Sequence, residues 1–313
     1  MVPITSDNRL ILPVICGPTA VGKTALALEL AEHFGGEIIS ADSRQVYRLM
    51  DIGTAKPTMS ERRRIRHHLI DVVWPDEEFN AARFVALARE AVSEICQRQK
   101  MPLLVGGTGL YIRALTEGLL QAPSADPELR RLLHARAEQE GSFILHAELA
   151  RVDPDSAARL HPNDLIRIVR ALEVYKQSGL PLSALQDYHN FSCQPYQILK
   201  LGLHMERDKL YQRINQRAEV MFAEGLLEEA ESLLRAGYHQ DVKALRTIGY
   251  RQAFAFLRGE MSREEAINDL KQSTRRYAKQ QLTWFRKDTS IIWLESSVDF
   301  VTIQKLIEEF HGI

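Results

Sequence analysis

Residues 10–16 form an unbroken apolar run and read as a strand buried on both faces, with a helix to follow over 25–34. Gly36-Glu37-Ile38-Ile39-Ser40 reads as a short strand ending at Ala41-Asp42-Ser43-Arg44-Gln45, and 68–73 as another. From 80 to 100 the apolar residues Phe84, Leu87, Ala91, Val92 and Ile95 recur close to the helical period. A further apolar strand covers 101–105. Strands separated by helices predict a parallel sheet whose ligand sites lie at the carboxyl ends of the strands.

The pattern changes near Gly118. Pro123 and Asp126-Pro127 punctuate the chain, and helical patterns run over 128–139, 142–150 and 165–178, the last closed by Gly179. We therefore expect a helical insertion over 119–198. Residues 1–118 and 199–313 would make the sheet-bearing core, with strands at 196–205 and 290–294 and long helices between. The fold class expected is α/β, a P-loop NTPase-like parallel sheet flanked by helices and carrying an all-helical insertion.

Composition changes this picture little. Of 313 residues, 45% are hydrophobic and 26% charged, ordinary values for a soluble globular protein. The formal net charge of −1 gives no global sign of a nucleic-acid partner, so any such partner must meet a local basic patch. Cys16, Cys96 and Cys193 have neither zinc-site spacing nor the even count of a disulfide framework. No signal segment or membrane-length apolar run is visible, so a cytoplasmic protein without a membrane partner is expected.

Gly17-Pro18-Thr19-Ala20-Val21-Gly22-Lys23-Thr24 is a complete phosphate-binding loop between the first strand and helix. Its backbone N–H groups would cradle a di- or triphosphate, with Lys23 on the oxygens and the Thr24 hydroxyl on Mg²⁺. A nucleotide hydrolase of this kind adds an Asp at the end of a later apolar strand. Here that strand runs into Gly106-Gly107-Thr108-Gly109 without an acid. Asp42 and Thr108 both follow strand ends beside the loop. Asp42 reads either as a helix cap or as a carboxylate with catalytic work. Arg213 and Arg217 share a helix face and suit either a leaving phosphate or ion pairs with Glu206 and Glu219. The acid-free stretch 271–287 interleaves Lys271, Arg275, Arg276, Lys279, Arg286 and Lys287 with Tyr277 and Trp284. That mix suits phosphate backbones and stacked bases, and equally an aromatic core with a solvated face.

Several ordered segments add to these: Ser40 to Tyr47, Asp51 to Pro57, Gly106 to Tyr111, His161 to Asp164, Arg170 to Tyr175, Ile248-Gly249-Tyr250 and Thr283-Trp284-Phe285. Together with the P-loop they resemble the bacterial tRNA dimethylallyltransferase family over about residues 10–290. The family transfers a dimethylallyl group from dimethylallyl pyrophosphate to N6 of adenosine 37, beside the anticodon. The resemblance accounts for the missing acid, since the P-loop would hold a prenyl pyrophosphate instead of a nucleotide to be hydrolysed.

The resemblance implies Asp42 as the group that takes the adenine proton, and Thr108 at the reacting centre. It implies donor binding by Gly17 to Thr24 and Arg217, with Thr24 as the metal residue. Contacts to the tRNA anticodon stem-loop would come from Asp42, Ser43, Arg44, Gln45, Thr108 and Arg130. Further contacts would come from Ile166, Arg167, Ile168, Val169 and Arg170, and from Thr247, Ile248, Gly249, Tyr250, Arg251 and Gln252. A monomer using Mg²⁺ is expected. Arg44, Ile166 and Gln280 stand where Met, Gln and Arg are common in the family. An adenylate dimethylallyltransferase or a P-loop small-molecule kinase would share the loop; the helical insertion and basic C-terminal helix favour a macromolecular acceptor.

Overall fold

The computed structural model describes residues 10–120, 122–189 and 196–311. In chain order the elements are β1 (Leu10–Cys16), α1 (Lys23–Phe34), β2 (Gly36–Ala41), α2 (Met59–Arg64), β3 (His67–His68), α3 (Ala81–Gln97), β4 (Met101–Gly106) and α4 (Gly109–Thr116). Then come α5 (Pro127–Glu140), α6 (Ser142–Val152), α7 (Pro154–Arg159), α8 (Leu165–Ser178) and α9 (Leu182–His189). The chain continues with β5 (Tyr196–His204), α10 (Arg207–Ala223), α11 (Leu226–Arg235), α12 (Tyr250–Leu257), α13 (Arg263–Phe285), β6 (Ile291–Glu295) and α14 (Phe300–His311).

The strands form one sheet in the order β3-β2-β4-β1-β5-β6, and every neighbouring pair is parallel, as the alternating pattern predicts. β1 is central and almost wholly buried, which is why its sequence is continuously apolar. Pro13, which has no N–H to donate, precedes Val14, the first residue paired with β4.

Two expected elements need correction. The first helix begins at Lys23, two residues before the expected start, because Gly22 adopts a φ of 113° and turns the chain directly into it. The strand expected over 68–73 is only His67–His68, followed by a single bridge between Val73 and Tyr47. Leu69 and Asp71 take positive φ values there. The turn delivers the Asp71 carboxylate to Lys56 at 2.5 Å and to Arg62 at 2.6 Å, so ion pairing outweighs strand propensity.

The chain divides into two compact units, Met1–Thr116 with Pro195–Ile313, and Glu117–Gln194. In the first, apolar residues of α1, β2, β4, β5, α10 and α14 share a core that includes Leu30, Leu103, Leu201, Ile214 and Ile307. In the second, helices pack around Leu133, Leu145, Leu149, Ile168 and Leu172. The buried Glu173 carboxylate there receives Arg130, Arg170 and the Asp126 N–H. Among the described residues no helix is long and apolar enough to cross a membrane.

Candidate active site

The P-loop sits at the carboxyl end of β1, between β4 and β5, where the order of strand connections reverses. Lys23 opens α1 and folds its ammonium back onto the loop, donating to the Gly17 carbonyl at 3.1 Å and the Pro18 carbonyl at 2.7 Å. Burial lowers the Lys23 pKa to about 8, opposed by nearby Asp42 and reinforced by Arg217. Thr19, Ala20, Gly22, Lys23 and Thr24 line a cavity of about 600 Å³, within the range of small-ligand sites. Val21 lies in the core beneath.

Parallel register brings Asp42 and Thr108 to the same edge. Ala41 of β2 pairs with Gly106 of β4, and both chains then leave the sheet together. The Thr108 N–H donates to the Ala41 carbonyl and its hydroxyl accepts from the Ser43 N–H, each at 3.1 Å. The Asp42 Oδ1 accepts from the N–H groups of Arg44 at 2.8 Å and Gln45 at 3.3 Å. Asp42 is thus a turn-forming residue, but that work occupies one oxygen and leaves Oδ2 for a ligand in the cavity it lines. The Gln45 amide is spent on the wall, accepting from the Ser40 hydroxyl and donating to the carbonyls of Thr54 and Ala55.

Across the cavity stand Arg213 and Arg217 of α10. Burial and the Arg213 charge lower the Arg217 pKa. Glu206 pairs with Lys209 and Glu219 with Lys271, so neither carboxylate claims these guanidinium groups. Tyr277 of α13 completes this wall, its phenol pushed up to about 12 by burial and by Asp42. Thr247 lines the cavity with a buried hydroxyl that has no partner among the described residues. Buried polar atoms are normally paired, so this one is free for a ligand.

Ser43, Arg44, Gln45, Thr247 and Ile248 line the cavity, and Ile166 and Arg167 lie exposed on α8. Ile168 and Val169 instead pack in the helical core, because α8 turns that face inward. Tyr250 and Gln252 are also buried. The Tyr250 hydroxyl donates to Glu229 at 2.5 Å, while the same carboxylate accepts from the N–H groups of Asp51, Ile52 and Gly53. Gln252 accepts from the Gly249 N–H and donates to Asp269. These four side chains are engaged within the fold. Arg130 and Arg170 keep part of their surface, but both are bound to Glu173. Arg251 is exposed and pairs with Asp269.

One residue escaped sequence reading. Gln281 accepts from the Thr19 N–H at 2.8 Å and donates to the Gly107 carbonyl at 2.9 Å. It belongs to the stripe Leu270, Thr274, Tyr277 and Gln281, one face of α13 that lines the cavity. Lys271 and Arg275 are engaged by Glu219 and Asn215. Trp284 packs against Gly109, where a side chain could not fit, yet remains 38% exposed, so packing and exposure coexist.

For a metal, the cavity offers the Thr24 hydroxyl and the Asp42 carboxylate. No group of three or more His, Cys, Asp or Glu among the described residues could hold one. Such sparse, hard oxygen donors fit a cation that arrives on phosphate oxygens.

Comparisons with known proteins identify the chain's family. The family model described as IPP transferase matches residues 45–288. A tRNA dimethylallyltransferase of Geobacter metallireducens is 54% identical over 97% of this chain and 99% of its own length. Its counterpart in Geobacter sulfurreducens is 52% identical over 96% and 97%. The crystal structure of the tRNA isopentenylpyrophosphate transferase from Bacillus halodurans superposes with a TM-score of 0.72 at 42% identity, covering 96% of this chain and 97% of that one. A eukaryotic dimethylallyltransferase acting on tRNA gives a TM-score of 0.78 at 29% identity, over 95% and 77%. With matches of this length and identity, the chain belongs to the IPP transferase family of tRNA dimethylallyltransferases.

Proposed function

We propose that the chain transfers a dimethylallyl group from dimethylallyl pyrophosphate to N6 of adenosine 37, beside the anticodon of tRNAs reading codons that begin with U. It would act as a cytoplasmic monomer. The observation that carries the proposal is the convergence on one cavity of a P-loop cation, a second, half-buried cation and a carboxylate with one oxygen unengaged among the described residues.

The exocyclic adenine amine is a weak nucleophile because its lone pair is delocalised into the ring. Catalysis must position it, take its proton and stabilise the leaving pyrophosphate. The Asp42 Oδ2 is the proposed base. As N6 bonds to C1 of the prenyl group, the C1–O bond breaks and its electron pair leaves with the pyrophosphate. The N6 proton passes to Asp42. Lys23, released from the Gly17 and Pro18 carbonyls, and Arg217 take up negative charge on the leaving oxygens. Thr108, held by the Ser43 N–H, positions the turn that carries Asp42. The Thr24 hydroxyl would help hold Mg²⁺, which would supply further charge neutralisation on the leaving group.

The target base must leave the loop stack to reach this cavity, which costs least from a single-stranded loop. Ser43, Arg44, Thr247 and Ile248 would receive it, and Arg167, exposed on the helical unit beside Asp164, would offer a cation for phosphates. The test is to incubate unmodified tRNA with the protein, donor and Mg²⁺, then digest and weigh the nucleosides. A single dimethylallyl adduct on adenosine 37 is expected. Unmodified adenosine 37, or an adduct elsewhere, would overturn the proposal.

A further inference from the structure

We infer that Gln281 is a positioning residue for the transfer, setting the separation between the donor loop and the turn that carries Thr108. The inference rests on the function proposed above. The Gln281 side chain is buried, and its amide uses both ends: Oε1 accepts from the Thr19 N–H of the P-loop, and Nε2 donates to the Gly107 carbonyl. From Gly107 the connection continues. The next residue, Thr108, accepts from the Ser43 N–H, and Asp42 precedes Ser43. One hydrogen-bonded belt thus runs across the carboxyl ends of β1, β4 and β2, from the residues that would hold pyrophosphate to the proposed base. Gln281 is the only member of that belt contributed from outside these strand ends.

The belt also explains a glycine. Gly107 does not have a positive φ, so its backbone does not demand glycine. A Cβ built there would stand 2.3 Å from Gln281 Nε2, while its next neighbours, Gln281 Cδ and the Gly17 carbonyl, lie at an ordinary 3.4 Å. Space for the Gln281 amide is therefore what glycine provides. A methyl at 107 would push out an amide fixed at both ends, breaking the belt without altering Gln281 itself. Reacting groups held even 1 Å from their productive separation can lose about 10²-fold in rate. Gln281 touches neither reacting atom, so its effect should appear in the chemical step more than in ligand affinity.

The test measures single-turnover transfer to unmodified tRNA at saturating donor, with the affinities for inorganic pyrophosphate and for tRNA, and the folded fraction at the assay temperature. Gln281→Met keeps bulk and removes both hydrogen bonds. It should lose at least tenfold in rate, with both affinities within threefold of the unaltered protein. Gly107→Ala should lose a similar factor alone, yet change the rate less than threefold in a Gln281→Ala background, where the obstructed amide is gone. The inference is overturned if Gln281→Met stays within threefold, or if pyrophosphate affinity falls as much as the rate. It is overturned too if the two losses multiply in the double variant, or if rates scaled to the folded fraction return to normal. Failure of the unaltered protein to label tRNA would instead overturn the proposed function.

Discussion

Asp42 does two jobs with two oxygens, and substitutions can separate them. Asp42→Asn retains an Oδ1 that accepts from Arg44 and Gln45, so the turn lining the cavity should persist. What it removes is the base, and general-base help is typically worth about 10²–10⁴ in rate. Asp42→Ala removes the base and also both hydrogen bonds to the turn. One of those is long at 3.3 Å, so their joint loss is set at about 1–2 kcal/mol. That corresponds to roughly a further 5–30-fold, expected as weaker tRNA binding because Ser43 and Arg44, which line the cavity, are the residues proposed to receive the acceptor base. Single-turnover transfer and tRNA binding by filter retention would separate the effects. The Asn variant should be slow with normal tRNA affinity, and the Ala variant slow with weakened affinity. Transfer by Asp42→Asn within tenfold of the unaltered protein would refute Asp42 as the base.

Three further outcomes are expected. The Lys23 pKa is depressed to about 8, so its charge is present below that pH and lost above it. Pyrophosphate affinity, referred to that of Lys23→Met, should fall about tenfold per unit above pH 8; a flat ratio from pH 7 to 9 would contradict this. On α8, Arg167→Ala should reduce the log–log salt slope of tRNA binding by about 0.7–0.9 and leave stability unchanged. The adjacent Ile168→Ala should cost about 2–5 kcal/mol of unfolding free energy and leave the slope alone. Denaturant melts and salt titrations on both variants would expose a reversed pattern. Burial alone would raise the Glu37 pKa, but hydrogen bonds from Arg98, His68 and Lys100 hold it near 2. Its stabilising contribution is complete above the ordinary 4.5 and is lost as pH falls toward 2. Glu37→Gln should therefore flatten the decline in urea midpoint between pH 5 and 3, and an unchanged decline would show that other groups carry it.

The parts of the site that were legible in the sequence are those made by neighbours along the chain. The P-loop is eight consecutive residues between a strand and a helix, and Asp42 and Thr108 are marked by following apolar strands. Parallel pairing then had to bring them together, as it does between Ala41 and Gly106. What escaped depends on distant partners. Gln281 bonds to Thr19 and Gly107, 262 and 174 residues away, and nothing local marks a glutamine as a clamp. The segment after His68 has strand composition, yet Lys56 and Arg62 draw Asp71 into a turn. Residues 166–170 read as one surface stretch, but a helix sends Ile166 and Arg167 outward and Ile168 and Val169 into the core. Tyr250 and Gln252 belong to a motif that reads as recognition, and their bonds to Glu229 and Asp269 depend on partners that the motif itself does not contain.

In this protein a P-loop cavity would serve prenyl transfer to a macromolecular acceptor. The most direct test is a competition with labelled dimethylallyl pyrophosphate, unmodified tRNA and a large excess of AMP in one reaction, beside a control with labelled ATP. Label on tRNA alone and no ATP turnover are expected. Label on AMP, or phosphate released from ATP with none of the prenyl label on tRNA, would contradict this.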